Sequence, residues 1–86
     1  MKLNILGCRT YCERKGIKNY AELSERLDIP LPALEVLEQG NDIGYEVVKD
    51  IYNKYGEKTV KQIIDFGEET LDDFKGKYVL VGDKLY

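Results

Sequence analysis

The stretch 19–40, NYAELSERLDIPLPALEVLEQG, decides the fold, because its pattern predicts two short amphipathic helices joined by a tight turn. In the first helix, apolar residues recur at spacings of three and four, which puts them on one helical face. This apolar stripe consists of Tyr20, Leu23 and Leu27, with Ala21 beside it. Asn19 is expected to cap the helix, and Glu22 to reach back to the backbone amide of that cap, as in a capping box.

The second helix begins at two prolines and ends at a glycine. Pro30 and Pro32 fit only a first turn, where the backbone amides have no intrahelical partner. The inward stripe of this helix consists of Leu31, Leu34 and Leu37. Gly40 is expected to end the helix, because glycine takes the left-handed conformation after a helix without steric cost.

These two helices resemble the helix-turn-helix of the Cro and lambda-repressor family of phage and bacterial regulators. The resemblance covers about half of the chain and rests on AELSERLDIP (21–30), LEVLEQG (34–40) and the upstream ERKGI (13–17). The matching positions are the apolar stripes, the turn residue and the helix ending: Ala21, Leu23, Leu27, Ile29, Leu34, Leu37, Glu38, Gln39 and Gly40. The resemblance implies a mainly α, lambda-repressor-like helix-turn-helix bundle of about five short helices, with the second helix of the motif in the major groove of DNA.

The flanking sequence predicts three more helices. Their expected spans are residues 3–15, from an Asn41 or Asp42 cap to about 55, and about 58–66. Gly16 and Gly67 are expected to end the first and the last of them. The predicted core consists of Ile5, Cys8, Leu23, Leu27, Ile29, Leu34, Leu37, Val48, Ile51, Ile63 and Ile64.

The end of the chain predicts a β-hairpin. Residues 78–81, YVLV, are aromatic and β-branched, and the Gly82-Asp83 pair after them is a two-residue hairpin signal. In this register Leu80 opposes Leu85, and Val79 opposes Tyr86, so that one apolar pair lies on each face of the hairpin.

We therefore divide the chain into a helix-turn-helix helical domain, 1–67, and a C-terminal extension with the hairpin, 68–86, within the same compact unit. An isolated hairpin is marginally stable in water, and one small helical domain cannot cover both of its faces and its free edge. The sequence accordingly predicts a homodimer through the C-terminal region.

Composition places the chain among ordinary globular proteins. It has 86 residues, 43% of them hydrophobic and 34% charged, so we expect one domain, too small for a deep enclosed active site. No apolar stretch approaches the roughly 20 residues of a membrane span, and the first residues are too polar for a signal peptide. We expect a cytoplasmic protein that does not bind membranes.

Residues that carry enzyme chemistry are scarce. The chain has no histidine, and its only serine, Ser24, lies within a predicted helix. Cys8 and Cys12 share one helical face, where geometry disfavours a disulfide, and a zinc site would need about four ligands. The neighbouring carboxylates of Asp72 and Asp73 fit a solvated turn better than acid/base catalysis. The sequence thus predicts no enzyme activity, no metal and no cofactor.

Charge is distributed unevenly along the chain. The net charge is −3, but residues 1–18 carry +4, residues 19–46 carry −6 and residues 47–86 carry −1. The predicted recognition helix is therefore in the most acidic segment, although base readout prefers arginine, lysine, asparagine or glutamine. Basic side chains that contact phosphates would have to come from the first helix, the following loop or Arg26.

Two functions remain open at this point. The first is a small DNA-binding transcriptional regulator of phage or mobile-element type, whose partner is double-stranded DNA. The alternative is an acidic protein-binding module, similar to DNA-mimic inhibitors of nucleases or other host defence proteins, whose partner is a basic protein. The candidate DNA- or partner-binding residues are Arg14, Lys15, Lys18, Arg26, Leu31, Ala33, Glu35, Val36 and Gln39. The seven tyrosines of the chain favour the alternative, since tyrosine is enriched at protein interfaces.

Overall fold

Six short helices and two small antiparallel strand pairs make up the computed structural model, which describes residues 1–86. The helices are α1 (Ile5–Lys15), α2 (Tyr20–Leu27), α3 (Leu31–Glu38), α4 (Tyr45–Tyr55), α5 (Glu57–Ile63) and α6 (Leu71–Lys75). The strands are β1 (Lys2–Leu3), which pairs with β2 (Ile64–Asp65), and β3 (Leu80–Val81), which pairs with β4 (Lys84–Leu85). The predicted fold class, mainly helical with a small C-terminal hairpin, is confirmed.

Helix α1 begins later than the sequence predicted and ends where it predicted. The expected start at Leu3 was wrong, because this residue belongs to β1 and Asn4 caps the helix by accepting from the Gly7 amide. At the other end, Gly16 has a φ of 71°, and the amide of Ile17 donates to the Cys12 carbonyl at 2.9 Å. That bond is the long bond of a Schellman motif, which turns the chain toward α2.

The predicted cap of α2 is confirmed in its first half only. Asn19 Oδ1 accepts from the Glu22 amide at 2.9 Å. Glu22 Oε2 accepts from the amide of Lys18 at 2.9 Å, not from that of Asn19 as expected. The backbone of Asn19 is extended, with φ −155° and ψ 173°. The Glu22 carboxylate therefore caps the amide one residue before the expected one.

The turn between α2 and α3 depends on a residue in the left-handed region. Asp28 has a φ of 57° and a ψ of 42°, and its amide donates to the Ser24 carbonyl. Aspartate tolerates this conformation better than most residues, because its short polar side chain bonds locally. Pro30 and Pro32 lie at the start of α3, as predicted, and Gly40 follows its end with a φ of 91°.

The predicted cap of α4 was wrong. Gly44 occupies the N-cap position, and no side chain caps this helix. Asn41 instead donates from Nδ2 to the Val36 carbonyl at 2.8 Å and so closes the C-terminal end of α3. Asp42 lies 3.7 Å from the amino group of Met1. Both polar side chains are therefore engaged by groups other than the amides of α4.

Helix α5 is shorter than predicted, because a strand follows it directly. It ends at Ile63, and the Ile63 carbonyl accepts from the Asn4 amide at 2.8 Å, beside the pairing of β1 with β2. The expected end at Phe66 and stop at Gly67 were wrong. Gly67 lies in a turn with a φ of 65°, where its amide donates to Asp65 Oδ1.

A sixth helix, where the sequence predicted only a short turn, packs the C-terminal segment on the body. Thr70 and Asp73 form a capping box at the start of α6, and Phe74 is fully buried. The hairpin register is as predicted, with Leu80 opposite Leu85 and reciprocal backbone bonds between Val79 and Tyr86.

The core lies between all six helices. Nine predicted core residues are buried: Cys8, Leu23, Leu27, Ile29, Leu34, Val48, Ile51, Ile63 and Ile64. Ile5 and Leu37 are only partly buried. Tyr20, assigned to the apolar stripe, is 37% exposed. The remaining buried residues are Leu3, Tyr11, Ile17, Ile43, Tyr52, Val60, Phe74 and Leu85.

Candidate functional site

A basic groove lies between the C-terminal half of α1 and the helices α4 and α5. Its volume is about 560 Å³, and its walls are Tyr11, Arg14, Lys15, Tyr55, Lys58, Thr59, Lys61 and Gln62. Two contacts in the N-terminal half of α1 hold this helix against α5. Gly7 leaves room for the Gln62 carbonyl, and the Cys8 thiol donates to the Ile63 carbonyl at a distance of 3.7 Å.

All charged side chains that line the basic groove are positive. Four cationic side chains line it, Arg14, Lys15, Lys58 and Lys61, and no carboxylate does. None of the four lies within 4.0 Å of a carboxylate. The ion pairs of the protein are formed by other residues: Met1 with Asp42, Lys49 with Glu46, Lys54 with Asp28, and Lys75 with Glu57. The groove can therefore offer all four cations to an anionic ligand.

A fifth cation, Arg26 at the end of α2, lies beside the basic groove. Burial and the neighbouring Tyr55 raise the pKa of Tyr11, whereas the Arg26 guanidinium acts to lower it. The hydroxyl of Tyr55 donates to the backbone carbonyl of Arg26, which ties the end of α2 to α4. The structure thus brings Arg14, Lys15 and Arg26, three of the predicted site residues, to one region.

A second groove, apolar with an acidic rim, separates α3 from α4. It has a volume of about 380 Å³ and is lined by Leu27, Asp28, Ile29, Pro30, Ala33, Val36, Leu37, Ile43, Gly44, Val47 and Asp50. Val36 is 50% exposed, so that its side chain is accessible from outside. On the rim, Asp28 lies 3.4 Å from Lys54, whereas Asp50 has no cation within 4.0 Å. This apolar groove can therefore hold an apolar side chain of a ligand that also carries a positive charge, since the carboxylates lie on its rim.

The predicted site residues of α3 lie apart from the basic side chains of the predicted site. Ala33, Glu35, Val36 and Gln39 are exposed, and Leu31 is half-buried. The exposed residues provide one amide side chain, Gln39, and no cation, so few groups on this helix can donate to base edges.

Lys18 lies in a further groove with Arg9 and Tyr20, away from Arg14 and Lys15. In the same region, interaction of the Tyr20 hydroxyl with the Glu38 carboxylate raises the pKa of Tyr20 to about 12, with Arg9 acting against this shift. The N-terminal end of α2 and the C-terminal end of α3 therefore meet there.

Sequence reasoning missed Lys58 and Lys61, the two cations that α5 contributes. Their spacing of three residues places both on one face of a helix, which was a usable signal. The packing of α5 against α1 was not visible in the sequence, because it depends on contacts between residues some 55 positions apart.

Comparison with known proteins finds no family model, no curated protein and no solved structure that matches the chain. None of the six helices combines the length and the apolar character that crossing a membrane requires.

Proposed function

We propose that this protein is a small DNA-binding regulator of the helix-turn-helix type, from a phage or mobile element, that binds duplex DNA chiefly through its phosphates. The observation that carries the proposal is the basic groove, with four cations, no lining carboxylate and no internal ion pair. In this proposal the protein acts in the cytoplasm, where its DNA is, and catalyses no reaction.

The electrostatics of the groove favour a polyanion. Four cations that face one groove without counter-charges repel one another, and an anionic ligand relieves that repulsion. DNA presents one negative charge per roughly 1.7 Å of helix axis, so a duplex can meet several of these cations at once. Arg14 adds a planar guanidinium, which can donate hydrogen bonds to two phosphate oxygens at the same time.

The α2–α3 hairpin supports the same proposal by its shape. The two helices are joined by three residues, of which Asp28 is in the left-handed conformation, and such short turns are typical of helix-turn-helix motifs. Because α3 presents mainly apolar and acidic side chains, we assign it a minor part in base readout, through Gln39 and Glu35. The proposal therefore predicts affinity that depends strongly on salt and weakly on sequence.

Association belongs to the proposed function as well. Val79, Leu80, Val81 and Tyr86 of the C-terminal hairpin are 65%, 50%, 59% and 68% exposed. An apolar surface of this kind marks an interaction site. We propose that the regulator is a homodimer through this region, which would present two basic grooves to one duplex.

Measuring the affinity for random duplex DNA against salt concentration tests the proposal. Four phosphates neutralised by each basic groove predict a slope of about −3.6 for the logarithm of the binding constant against the logarithm of salt concentration, and a dimer that binds one duplex through both grooves predicts about −7.2. Absence of binding at about 50 mM salt, where non-specific electrostatic affinity is strong, would contradict it.

The apolar groove between α3 and α4 favours a second candidate function, an acidic protein-binding module. Exposed Val36 and Ala33 with the carboxylates of Asp28 and Asp50 on the rim suit a partner segment that combines an apolar side chain with lysine or arginine. Exposed acidic residues on the same helix, Glu35 among them, add to the attraction of a basic protein. This candidate predicts tight binding to a basic protein and none to DNA.

A further inference from the structure

We propose that the outer edge of β3 pairs with β3 of a second copy of this chain, in antiparallel orientation about a two-fold axis at Leu80. The result is a four-stranded sheet that runs across two molecules. This inference rests on the homodimer proposed above and names its interface.

One edge of the hairpin is already closed by a side chain. Asn53 of α4 donates from Nδ2 to the Leu85 carbonyl at 3.0 Å, and its Oδ1 accepts from the Leu85 amide at 2.8 Å. The ammonium group of Lys84 also donates to the Asn53 carbonyl. The Asn53 carboxamide thus bonds to both the amide and the carbonyl of Leu85, as a neighbouring strand would. No further strand can therefore pair with β4 at Leu85.

The other edge, along β3, is open. Val79 and Tyr86 exchange both of their backbone hydrogen bonds, at 3.0 and 2.8 Å. Because such pairs alternate along an antiparallel ladder, the next pair, Leu80 with Leu85, makes no bonds within the hairpin. The amide and carbonyl of Leu80 therefore point away from β4, and no group elsewhere in the protein bonds to them.

The sequence of this edge lacks the usual protection against pairing. Sheet edges are commonly protected by proline, by lysine within the strand or by a bulge. Residues 79–81 are Val-Leu-Val, without proline or charge, and their side chains are between 50% and 65% exposed. The edge thus has unpaired backbone groups beside apolar side chains, which is the surface that an added strand covers.

Self-pairing about Leu80 is complementary in side chains. In this register Leu80 of each copy exchanges both backbone bonds with Leu80 of the other. Val81 then lies opposite Val79 of the second copy, a β-branched pair of the kind that stabilises sheets. Residues 79–81, Val-Leu-Val, read the same in both directions about Leu80, so this edge is complementary to a second copy of itself, which favours a second copy over an unrelated strand.

Leu80→Pro tests the pairing, with the mass in solution measured over a concentration series without DNA. Proline removes the outward amide of Leu80, which the hairpin itself does not use, and leaves the bonds of Val79 with Tyr86 in place. The mass of the wild type should rise with concentration toward twice the 9.9 kDa of the single chain. Leu80→Pro should stay at 9.9 kDa at every concentration.

Leu80→Lys and Leu6→Lys form a matched pair in case the proline disturbs the hairpin. Both residues are exposed leucines, at 50% and 73%, and both substitutions add one positive charge, but only Leu80 lies on the proposed interface. Leu80→Lys should be monomeric, and Leu6→Lys should associate as the wild type does. A wild type that stays monomeric, or two lysine variants that behave alike, would overturn the interface. Since DNA is not part of this measurement, that result would be distinct from a failure to bind DNA.

Discussion

The backbone of Gly7 in α1 lies directly against the backbone carbonyl of Gln62 in α5. A Cβ atom at position 7 would come within 1.8 Å of the Gln62 oxygen, so no other residue fits without movement of a helix. This close approach sets the distance between α1 and α5, and therefore places Arg14 and Lys15 beside Lys58 and Lys61. The basic groove depends on this contact.

Gly7→Ala is predicted to destabilise the fold. Helix propensity alone would favour alanine in α1 by about 1 kcal/mol, whereas the collision with backbone atoms should cost about 1–3 kcal/mol or more. Urea denaturation measures the net change. Gly76→Ala is the control, since φ there is −65° and an added Cβ meets no atom closer than 3.4 Å. A Gly7→Ala variant as stable as the wild type would contradict the close contact.

Leu34→Ala is predicted to lose most of the stability of this small domain. Leu34 is fully buried at the centre of α3, so its truncation should leave a cavity and cost about 2–5 kcal/mol. Val36→Ala is a matched control on the same helix, because Val36 is 50% exposed and its loss should be small. Thermal unfolding of both variants checks the difference, and equal losses would mean that α3 does not pack through Leu34.

Alkaline pH is predicted to destabilise the protein, first through Cys8. Burial, and next the neighbouring Cys12, raise the pKa of the Cys8 thiol from 9.0 to about 11. Above pH 9 the unfolded chain loses this proton before the folded one does, so the free energy of unfolding falls as the pH rises toward 11. A shift of this size corresponds to about 2–3 kcal/mol. Urea denaturation between pH 8 and pH 11 measures the fall, which Cys8→Ala should reduce. An unchanged pH profile in that variant would show that another group is responsible.

Reversal of Glu35 and Glu38 to lysine is predicted to separate the two candidate functions. Both side chains are exposed, so the fold should be retained, and circular dichroism checks this. In a DNA-binding regulator the reversal should raise the affinity for random DNA and steepen its salt dependence by about one unit for each additional phosphate that the new lysines neutralise. In a protein-binding module it should abolish binding to the basic partner and leave DNA binding absent.

Local signals in the sequence predicted local structure well. The Asn19 cap, the Gly16 ending and the Gly82-Asp83 hairpin register depend on a few neighbouring residues, and all three are confirmed. The predicted fourth-helix cap was wrong because Asn41 bonds instead to the end of α3. Propensity favours asparagine at a cap but does not decide which helix it caps.

Long-range contacts could not be predicted from the sequence. The pairing of β1 with β2 joins segments about 60 residues apart and shortens both α1 and α5 relative to their apolar patterns. The role of Gly7 could not be predicted from local sequence, because its neighbour Gln62 is distant in the chain. For the same reason half of the basic groove was predicted, through Arg14 and Lys15, and the half on α5 was missed.

Charge reversal in the basic groove tests the central claim most directly. Two double variants, Arg14→Glu with Lys15→Glu and Lys58→Glu with Lys61→Glu, are compared with Lys2→Glu with Arg9→Glu, which changes the net charge equally at two exposed residues outside the groove that form no ion pair. Affinity for random duplex DNA is measured as a function of salt concentration. We predict that each groove variant binds more weakly than the wild type and that its salt slope is smaller by about two units for each groove that binds the duplex, while the control keeps the wild-type slope. A wild type that does not bind at about 50 mM salt, or groove variants that bind like the control, would contradict the assignment of DNA binding to this groove.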